Sequence, residues 1–132
     1  MLYFLDTNIC IYYLNNSYPQ LVNKILSTSP QNIKLPSIVQ AELLYGVEKS
    51  KNKKSNQAKV DKFLSLIDIL PFDKTCAKYY SNIRTKLEVK GKIIGPNDLL
   101  IAAIVLANNG TLVTNNISEF KRVPNLKVTN WI

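Results

Sequence analysis

Five short runs rich in apolar residues recur along the chain, and a polar or turn-forming residue ends or follows each of them. Their length and their content of β-branched and aromatic residues are typical of strands. The runs lie at residues 2–5, 33–35, 68–71, 111–113 and 127–129.

The stretches between these runs carry apolar residues three and four positions apart and predict helices. Ser37 is expected to cap one of them, with Gln40 completing a capping box. Gly95-Pro96 opens another, which should be central and buried because it is apolar nearly all round, and Gly110 should end it. The remaining predicted helices cover 8–16, 19–28, 57–66 and 74–89, and the lysine-rich segment 48–62 is interpreted as an exposed turn joining two helices.

Strands that alternate with helices predict an α/β fold, in which a mostly parallel sheet is flanked by helices. A length of 132 residues suits one domain, residues 1–132, and a hydrophobic fraction of 46% is enough for a packed core. In open parallel sheets, ligands bind beyond the carboxyl ends of the strands. We therefore expect the functional site at that edge of the sheet.

Charge and residue usage narrow the function. The formal net charge of +8 favours a polyanionic partner such as nucleic acid. The chain has no histidine, which excludes Ser-His-Asp and Cys-His catalysis and argues against structural zinc. Cys10 and Cys76 lie among apolar residues and are expected to be buried free thiols. With no secretory signal and no apolar stretch long enough for a bilayer, we expect a cytoplasmic protein with no membrane partner.

Two acidic residues follow predicted strands. Asp6 comes directly after the first strand, which places it at a carboxyl strand end, although a helix N-cap explains its position equally well. Glu119 follows the strand at 111–113 and a polar turn. Taken alone, Glu119 is interpreted more simply as a surface acid.

Two further acids lie early in predicted helices. Glu42, between Ala41 and Leu43, either marks the solvent edge of its helix or turns inward toward a cation. Asp98 lies in the first turn of the most apolar helix, where an acid complements the helix dipole. Because that helix should be buried, an unpaired carboxylate there would be costly, and a metal ion would supply the compensating charge.

These four carboxylates can converge on one edge of the sheet. They would repel one another unless a divalent cation lay between them, and oxygen ligands without histidine or thiolate favour Mg²⁺, with Mn²⁺ as a substitute. An acidic metal site within a basic surround suits cleavage of a phosphodiester backbone.

Four segments together resemble PIN-domain nucleases, and among them the VapC toxins of VapBC toxin–antitoxin pairs. They span the chain in order and at ordinary spacings. The segments are Leu5-Asp6-Thr7-Asn8, Ala41-Glu42-Leu43-Leu44-Tyr45-Gly46, Pro96-Asn97-Asp98-Leu99-Leu100-Ile101-Ala102-Ala103, and Leu112-Val113-Thr114-Asn115-Asn116 with Glu119-Phe120.

The resemblance implies a three-layer α/β/α sandwich and a Mg²⁺-dependent endoribonuclease toxin that cleaves single-stranded or loop RNA, with tRNA as the expected substrate. It implies Asp6 and Asp98 as the main metal ligands and Glu42 and Glu119 as further catalytic acids. Many relatives carry Asp where this chain has Asn116, so either Glu119 or Asn116 completes the site. The resemblance also implies supporting roles for Thr7, Asn8 and Thr114.

Partners follow from the same resemblance: a VapB-like antitoxin that blocks the acidic site, a homodimer and a toxin–antitoxin hetero-oligomer. Two other functions stay open on the sequence. One is a non-catalytic basic RNA-binding module, and the other is a metal-dependent phosphatase acting on small phosphate esters.

Overall fold

The computed structural model describes residues 1–132 and contains five strands and seven α-helices, with a 3₁₀ turn at Pro30–Asn32. In chain order the elements are β1 (Tyr3–Leu5), α1 (Thr7–Leu14), α2 (Pro19–Ser27), β2 (Ile33–Pro36), α3 (Ser37–Lys49), α4 (Lys53–Ser65), β3 (Asp68–Leu70), α5 (Lys74–Val89), α6 (Pro96–Ala107), β4 (Thr111–Val113), α7 (Ile117–Phe120) and β5 (Lys127–Thr129). The five predicted strands are all present.

The strands form one sheet in the order β3-β2-β1-β4-β5, and every neighbouring pair is parallel. The strand order runs one way from β1 to β3 and the other way from β4 to β5. Right-handed crossovers therefore put the helices before β3 and those after it on opposite faces of the sheet. This is the expected three-layer α/β/α sandwich, with the sheet wholly parallel.

The switch in strand order falls between β1 and β4, which pair with Tyr3 opposite Thr111 and Leu5 opposite Val113. At such a point the two crossovers leave in opposite directions and open a crevice beyond the carboxyl ends of the strands. Asp6 directly follows β1 and Thr114 directly follows β4. The fold therefore places both residues at the mouth of the crevice.

The predicted capping box of α3 is wrong. The N-cap position is Pro36, with extended φ and ψ angles, and no side chain caps this helix. Because the chain passes from β2 into α3 without an intervening residue, Ser37 is already the first helical residue and its hydroxyl cannot reach the cap geometry. The helix is held instead by its buried face, which contains Val39, Leu43 and Val47.

The interpretation of residues 48–62 as an exposed turn is also wrong for most of that segment. Helix α3 continues to Lys49, and α4 begins at Lys53, so only three residues separate the two helices. Lysine is a good helix former, and buried Val60 and Phe63 anchor the segment in the core. Helix α4 thus begins four residues before the predicted 57–66.

Helix α6 is central, as expected, and residues 101–105 are all buried. It ends before Gly110: Asn108 is the C-cap, and Asn109 takes the left-handed conformation at φ 53°. Glycine is required at position 110 for a different reason: a Cβ there would lie 2.4 Å from Cε2 of Phe4. The missing side chain makes room for the largest buried residue of β1.

Cys10 and Cys76 are buried free thiols, as expected. Burial raises the pKa of Cys10 well above its usual range, so its thiol stays protonated. No helix combines the length and apolar character that a membrane crossing requires.

Candidate active site

Asp6 is held at the switch point by hydrogen bonds to both of its carboxylate oxygens. The backbone N–H of Ile9 donates to Oδ1 at 2.9 Å, which caps α1, and the hydroxyl of Thr114 donates to Oδ2 at 2.5 Å. Asp6 is only 7% exposed. The strand-end and N-cap interpretations are thus both correct, because Asp6 directly follows β1 and caps α1.

Glu42 turns toward the same edge from α3 and is half-buried. The Thr7 hydroxyl donates to Oε1 at 2.5 Å, and the Asn97 amide donates to Oε2 at 3.3 Å. Since Thr7 begins α1 and Asn97 lies in the first turn of α6, Glu42 bridges three helices. It is therefore not a residue of the solvent edge, and the structure supports the inward orientation.

Asp98 and Glu119 form a pair on either side of Gly95. The backbone N–H of Gly95 donates to Oε1 of Glu119 at 3.0 Å. A Cβ at Gly95 would lie 3.4 Å from Oδ2 of Asp98 and 3.9 Å from Oε1 of Glu119. Glu119 is half-buried rather than a free surface acid.

The pKa values of Asp98 and Glu119 shift in opposite directions. Burial, followed by the charge of Glu119 and a hydrogen bond to it, raises the pKa of Asp98 to about 7, and the charges of Glu42 and Asp6 add to the rise. The Gly95 N–H and the Asn116 amide lower the pKa of Glu119. Of the two groups, Asp98 is therefore the one that takes up a proton first as the pH falls, while Glu119 stays ionised.

Asp6 also has a raised pKa, chiefly because it is buried, while the hydrogen bonds from Thr114 and Ile9 oppose the rise. The charge of Glu42 adds a smaller upward contribution. Four carboxyl groups from four parts of the chain thus influence one another electrostatically at one edge of the sheet. The neighbouring acids disfavour the ionised forms of Asp6 and Asp98.

The donor set suits a hard divalent cation that keeps much of its water. No three acidic or cysteine side chains lie close enough together to surround an ion. Mg²⁺ is commonly held by one or two carboxylates and several waters, so it needs no closed cage of side chains. Burial and then the neighbouring acids raise the pKa of Asp98, and a cation bound there would offset the negative charge of those acids.

The supporting residues have unequal roles. Thr7 and Thr114 donate directly to Glu42 and Asp6. The Asn116 amide donates to Oε2 of Glu119 at 2.6 Å, so Glu119 and Asn116 occupy the same corner together. Asn8 is exposed on α1, and no hydrogen bond connects it to the acids.

Two residues that hydrogen-bond the acids were not predicted from the sequence. Asn97 binds Glu42 across 55 positions, and Gly95 binds Glu119 across 24. Asn97 lies within the motif that carried the resemblance, next to Asp98, so its position was a usable signal. The Gly95 contact uses a backbone N–H, and no residue type encodes such a contact.

The geometry defines a class of protein in which an open parallel sheet carries several acids at its switch point. A family model described as PIN domain matches residues 3–126. Ribonuclease VapC2 of Rickettsia felis is 54% identical over 132 residues, which cover 99% of this chain and 98% of the relative. The tRNA(fMet)-specific endonuclease VapC of Salmonella typhimurium is 34% identical, covering 98% of this chain and 97% of the relative.

Solved structures agree. The crystal structure of VapBC2 from Rickettsia felis bound to a DNA fragment from their promoter contains a chain that is 53% identical, with a TM-score of 0.94 and full coverage of both chains. DNA-bound VapBC from Salmonella typhimurium gives a TM-score of 0.94 at 34% identity, also with full coverage. The chain therefore belongs to the VapC ribonucleases of the PIN-domain family.

Proposed function

We propose that this ribonuclease depends on Mg²⁺ and cleaves RNA loops as the toxin of a VapBC pair. One observation carries the proposal: Asp98 and Glu119 lie side by side within the field of Asp6 and Glu42, and the pKa of Asp98 is about 7. An excess of negative charge at a strand-end crevice serves no stabilising purpose. A cation that binds there would offset it.

Asp6 and Asp98 are the residues that would hold Mg²⁺, with Glu42 and Glu119 beside them. When bound, Mg²⁺ supplies positive charge to the phosphoryl oxygens and lowers the pKa of water. Thr114 and the Ile9 N–H fix both oxygens of Asp6, while Thr7 and Asn97 fix both oxygens of Glu42. Positions fixed before substrate arrives reduce the cost of reorganisation during the reaction.

Asp98 is the group with a proton to exchange near neutral pH. Its carboxyl donates to Glu119 when protonated, and its ionisation is favoured when positive charge enters the site. Glu119 stays ionised because the Gly95 N–H and the Asn116 amide stabilise its charge. The pair can therefore hold one proton or release it as the charge in the crevice changes.

A tRNA is the proposed substrate, and the cytoplasm is the proposed compartment. Two relatives, from Salmonella typhimurium and Shigella flexneri, are named tRNA(fMet)-specific endonucleases. The net charge of +8 suits an RNA backbone, because cationic side chains release condensed counterions when they bind phosphates. Unpaired loop bases are the parts of a tRNA that a protein can splay out and bind individually.

A VapB-like antitoxin is the proposed partner, together with a homodimer of this chain. Similar solved structures include VapBC complexes from Rickettsia felis, Salmonella typhimurium and Haemophilus influenzae. An antitoxin that presents a cationic side chain to the acidic edge would offset the same charge as a metal ion. That mode of inhibition follows from the electrostatics of the four acids.

The test is cleavage of tRNA by the purified chain with Mg²⁺, with Mg²⁺ plus EDTA, and with an Asp98→Asn variant. We expect cuts within loops in the first reaction only, mapped by sequencing the new RNA ends. Salt-sensitive binding without cleavage would instead establish a non-catalytic RNA-binding module. Hydrolysis of p-nitrophenyl phosphate without RNA cleavage would establish a small-ester phosphatase.

A further inference from the structure

A groove of about 220 Å³ lies beside the acidic edge, bounded by α1, α3 and α4. The side chain of Glu42 forms part of its wall, so the groove is continuous with the candidate active site. Most of its lining is apolar. The apolar side chains are Ile11, Leu14, Leu43, Val47 and Val60.

Three polar side chains also line this groove: Asn15, Asn56 and Lys59. Lys59 takes part in none of the chain's three salt bridges, which are Lys34–Asp68, Lys53–Glu48 and Arg84–Glu88. Asn56 is half-buried, and its side-chain amide bonds to no other residue of the chain. The groove therefore offers donors, an acceptor and a positive charge that the fold itself does not use.

Gly46 lies in the interior of α3 and faces the groove. Glycine inside a helix costs about 1 kcal/mol relative to alanine. Nothing within the chain requires it, because its φ is not positive and a Cβ would meet no atom within 4 Å. The missing side chain instead keeps the floor of the groove open, so that an occupant can approach the helix backbone.

We propose that the groove binds one nucleotide of the RNA substrate, adjacent to the scissile phosphate. The base lies against the apolar floor over Gly46, the amides of Asn56 and Asn15 bond its edge, and Lys59 binds a neighbouring phosphate. An RNA strand suits the site because the groove continues into the acidic crevice and has a cation at its rim. Proteins bind unpaired bases through such edge contacts.

The proposal rests on the ribonuclease function proposed above, and its test separates the two. Total bacterial RNA is incubated with Mg²⁺ and each variant, and the new RNA ends are sequenced. If wild-type cuts are the same with and without EDTA, the Mg²⁺-dependent function fails, but the groove proposal is still decided by comparing the variants with the wild type. If wild-type cuts require Mg²⁺, the variants are compared in the presence of Mg²⁺.

Gly46→Leu fills the groove, and Ala58→Leu puts the same side chain at an exposed position of α4 that does not line it. We expect Gly46→Leu to lower cleavage at least tenfold without lowering the melting temperature, since leucine favours a helix more than glycine does. Ala58→Leu should cleave like the wild type.

Asn56→Ala tests the base contact without adding bulk, and Lys62→Ala on the same helix is its control. We expect Asn56→Ala to reduce the preference for one base beside the cut by roughly tenfold, the discrimination that one such contact typically provides. Lys62→Ala should retain the preference. Cleavage rates and base preferences equal to wild type in both Gly46→Leu and Asn56→Ala would overturn the proposal, as expected of a groove that serves only a protein partner. Should Gly46→Leu not fold, Asn56→Ala decides alone.

Discussion

Asp6 and Asp98 lie at the same edge of the sheet, yet their surroundings differ. Asp6 is 7% exposed, and fixed donors, a backbone N–H and a hydroxyl, bind both of its oxygens. Asp98 is half-buried, and the group that most affects its charge, after burial itself, is another acid, Glu119. Burial raises the pKa of both acids, but fixed donors hold the Asp6 carboxylate in the architecture, whereas the Asp98 carboxylate faces other acids until positive charge arrives.

Because the surroundings of Asp6 and Asp98 differ, one candidate site contains two kinds of acid. One kind caps a helix and connects two strands, so removing it damages the fold. The other kind is held in place by the backbone of α6 and contributes charge that the metal-free fold disfavours. Stability and activity should therefore respond in opposite directions at Asp98 and in the same direction at Asp6.

The largest expected effect is on cleavage by Asp98→Asn. We expect a loss of roughly two to three orders of magnitude, comparable to removing one preorganised electrostatic contact from an active site. In EDTA the melting temperature should rise, because the amide removes a disfavoured charge. Asp61→Asn, an exposed acid of α4, is the control and should change neither quantity. A lower melting temperature for Asp98→Asn would show that the carboxylate stabilises the fold.

The next effect is on folding by Asp6→Ala. Losing the N-cap costs about 1 kcal/mol, and leaving the buried Thr114 hydroxyl without its acceptor costs about 1–3 kcal/mol. Asp73→Ala is a matched comparison, because Asp73 caps α5 through the N–H of Cys76 on an exposed surface. Asp73→Ala should lower the free energy of unfolding by less than Asp6→Ala does, because only a helix cap is lost. Urea unfolding measures both, and equal losses would contradict a structural role peculiar to Asp6.

Stability should also depend on pH in a way that Asp98 determines. Its pKa is about 7 in the folded chain and near the ordinary value of 3.8 when unfolded, so the folded state binds more protons between these limits. Stability in EDTA should therefore fall as pH rises from about 4 to 7, relative to Asp98→Asn. We expect a difference of about 1–2 kcal/mol, because the side chain is half-buried and water screens it. Parallel pH profiles for the two proteins would refute this.

The smallest expected effect concerns the residues that hold Glu42. Thr7→Val removes the hydroxyl that donates to Oε1 while keeping the shape of the side chain, and should lower cleavage about tenfold, as mutation of outer-shell partners does. Asn8→Ala, one position further along α1, should have a smaller effect because Asn8 does not contact the acids. Initial cleavage rates at saturating Mg²⁺ measure both. The reverse ranking would give Asn8 a role in binding RNA.

The strands and the acid positions were accessible to sequence patterns because both depend on local order. A short apolar run ended by a polar residue predicted β1 and placed Asp6 at its end, and the same pattern located β4. The capping box at Ser37 failed because its geometry depends on how β2 delivers the chain to α3. The start of α4 was missed because lysines that suggested a turn were compatible with a helix once Val60 and Phe63 were buried.

Hydrophobic patterns were enough to predict the class of the sheet and the central position of α6, and the family resemblance added the four carboxylates of the candidate site. Hydrophobic spacing and residue chemistry are local properties, so they can be recognised in the sequence alone. The three-dimensional packing was needed to show that Glu42 turns inward, that burial and Glu119 raise the pKa of Asp98, and that Glu119 and Asn116 lie in one corner together. Those outcomes depend on contacts between residues far apart in the chain, where packing and burial change the energy of a charge.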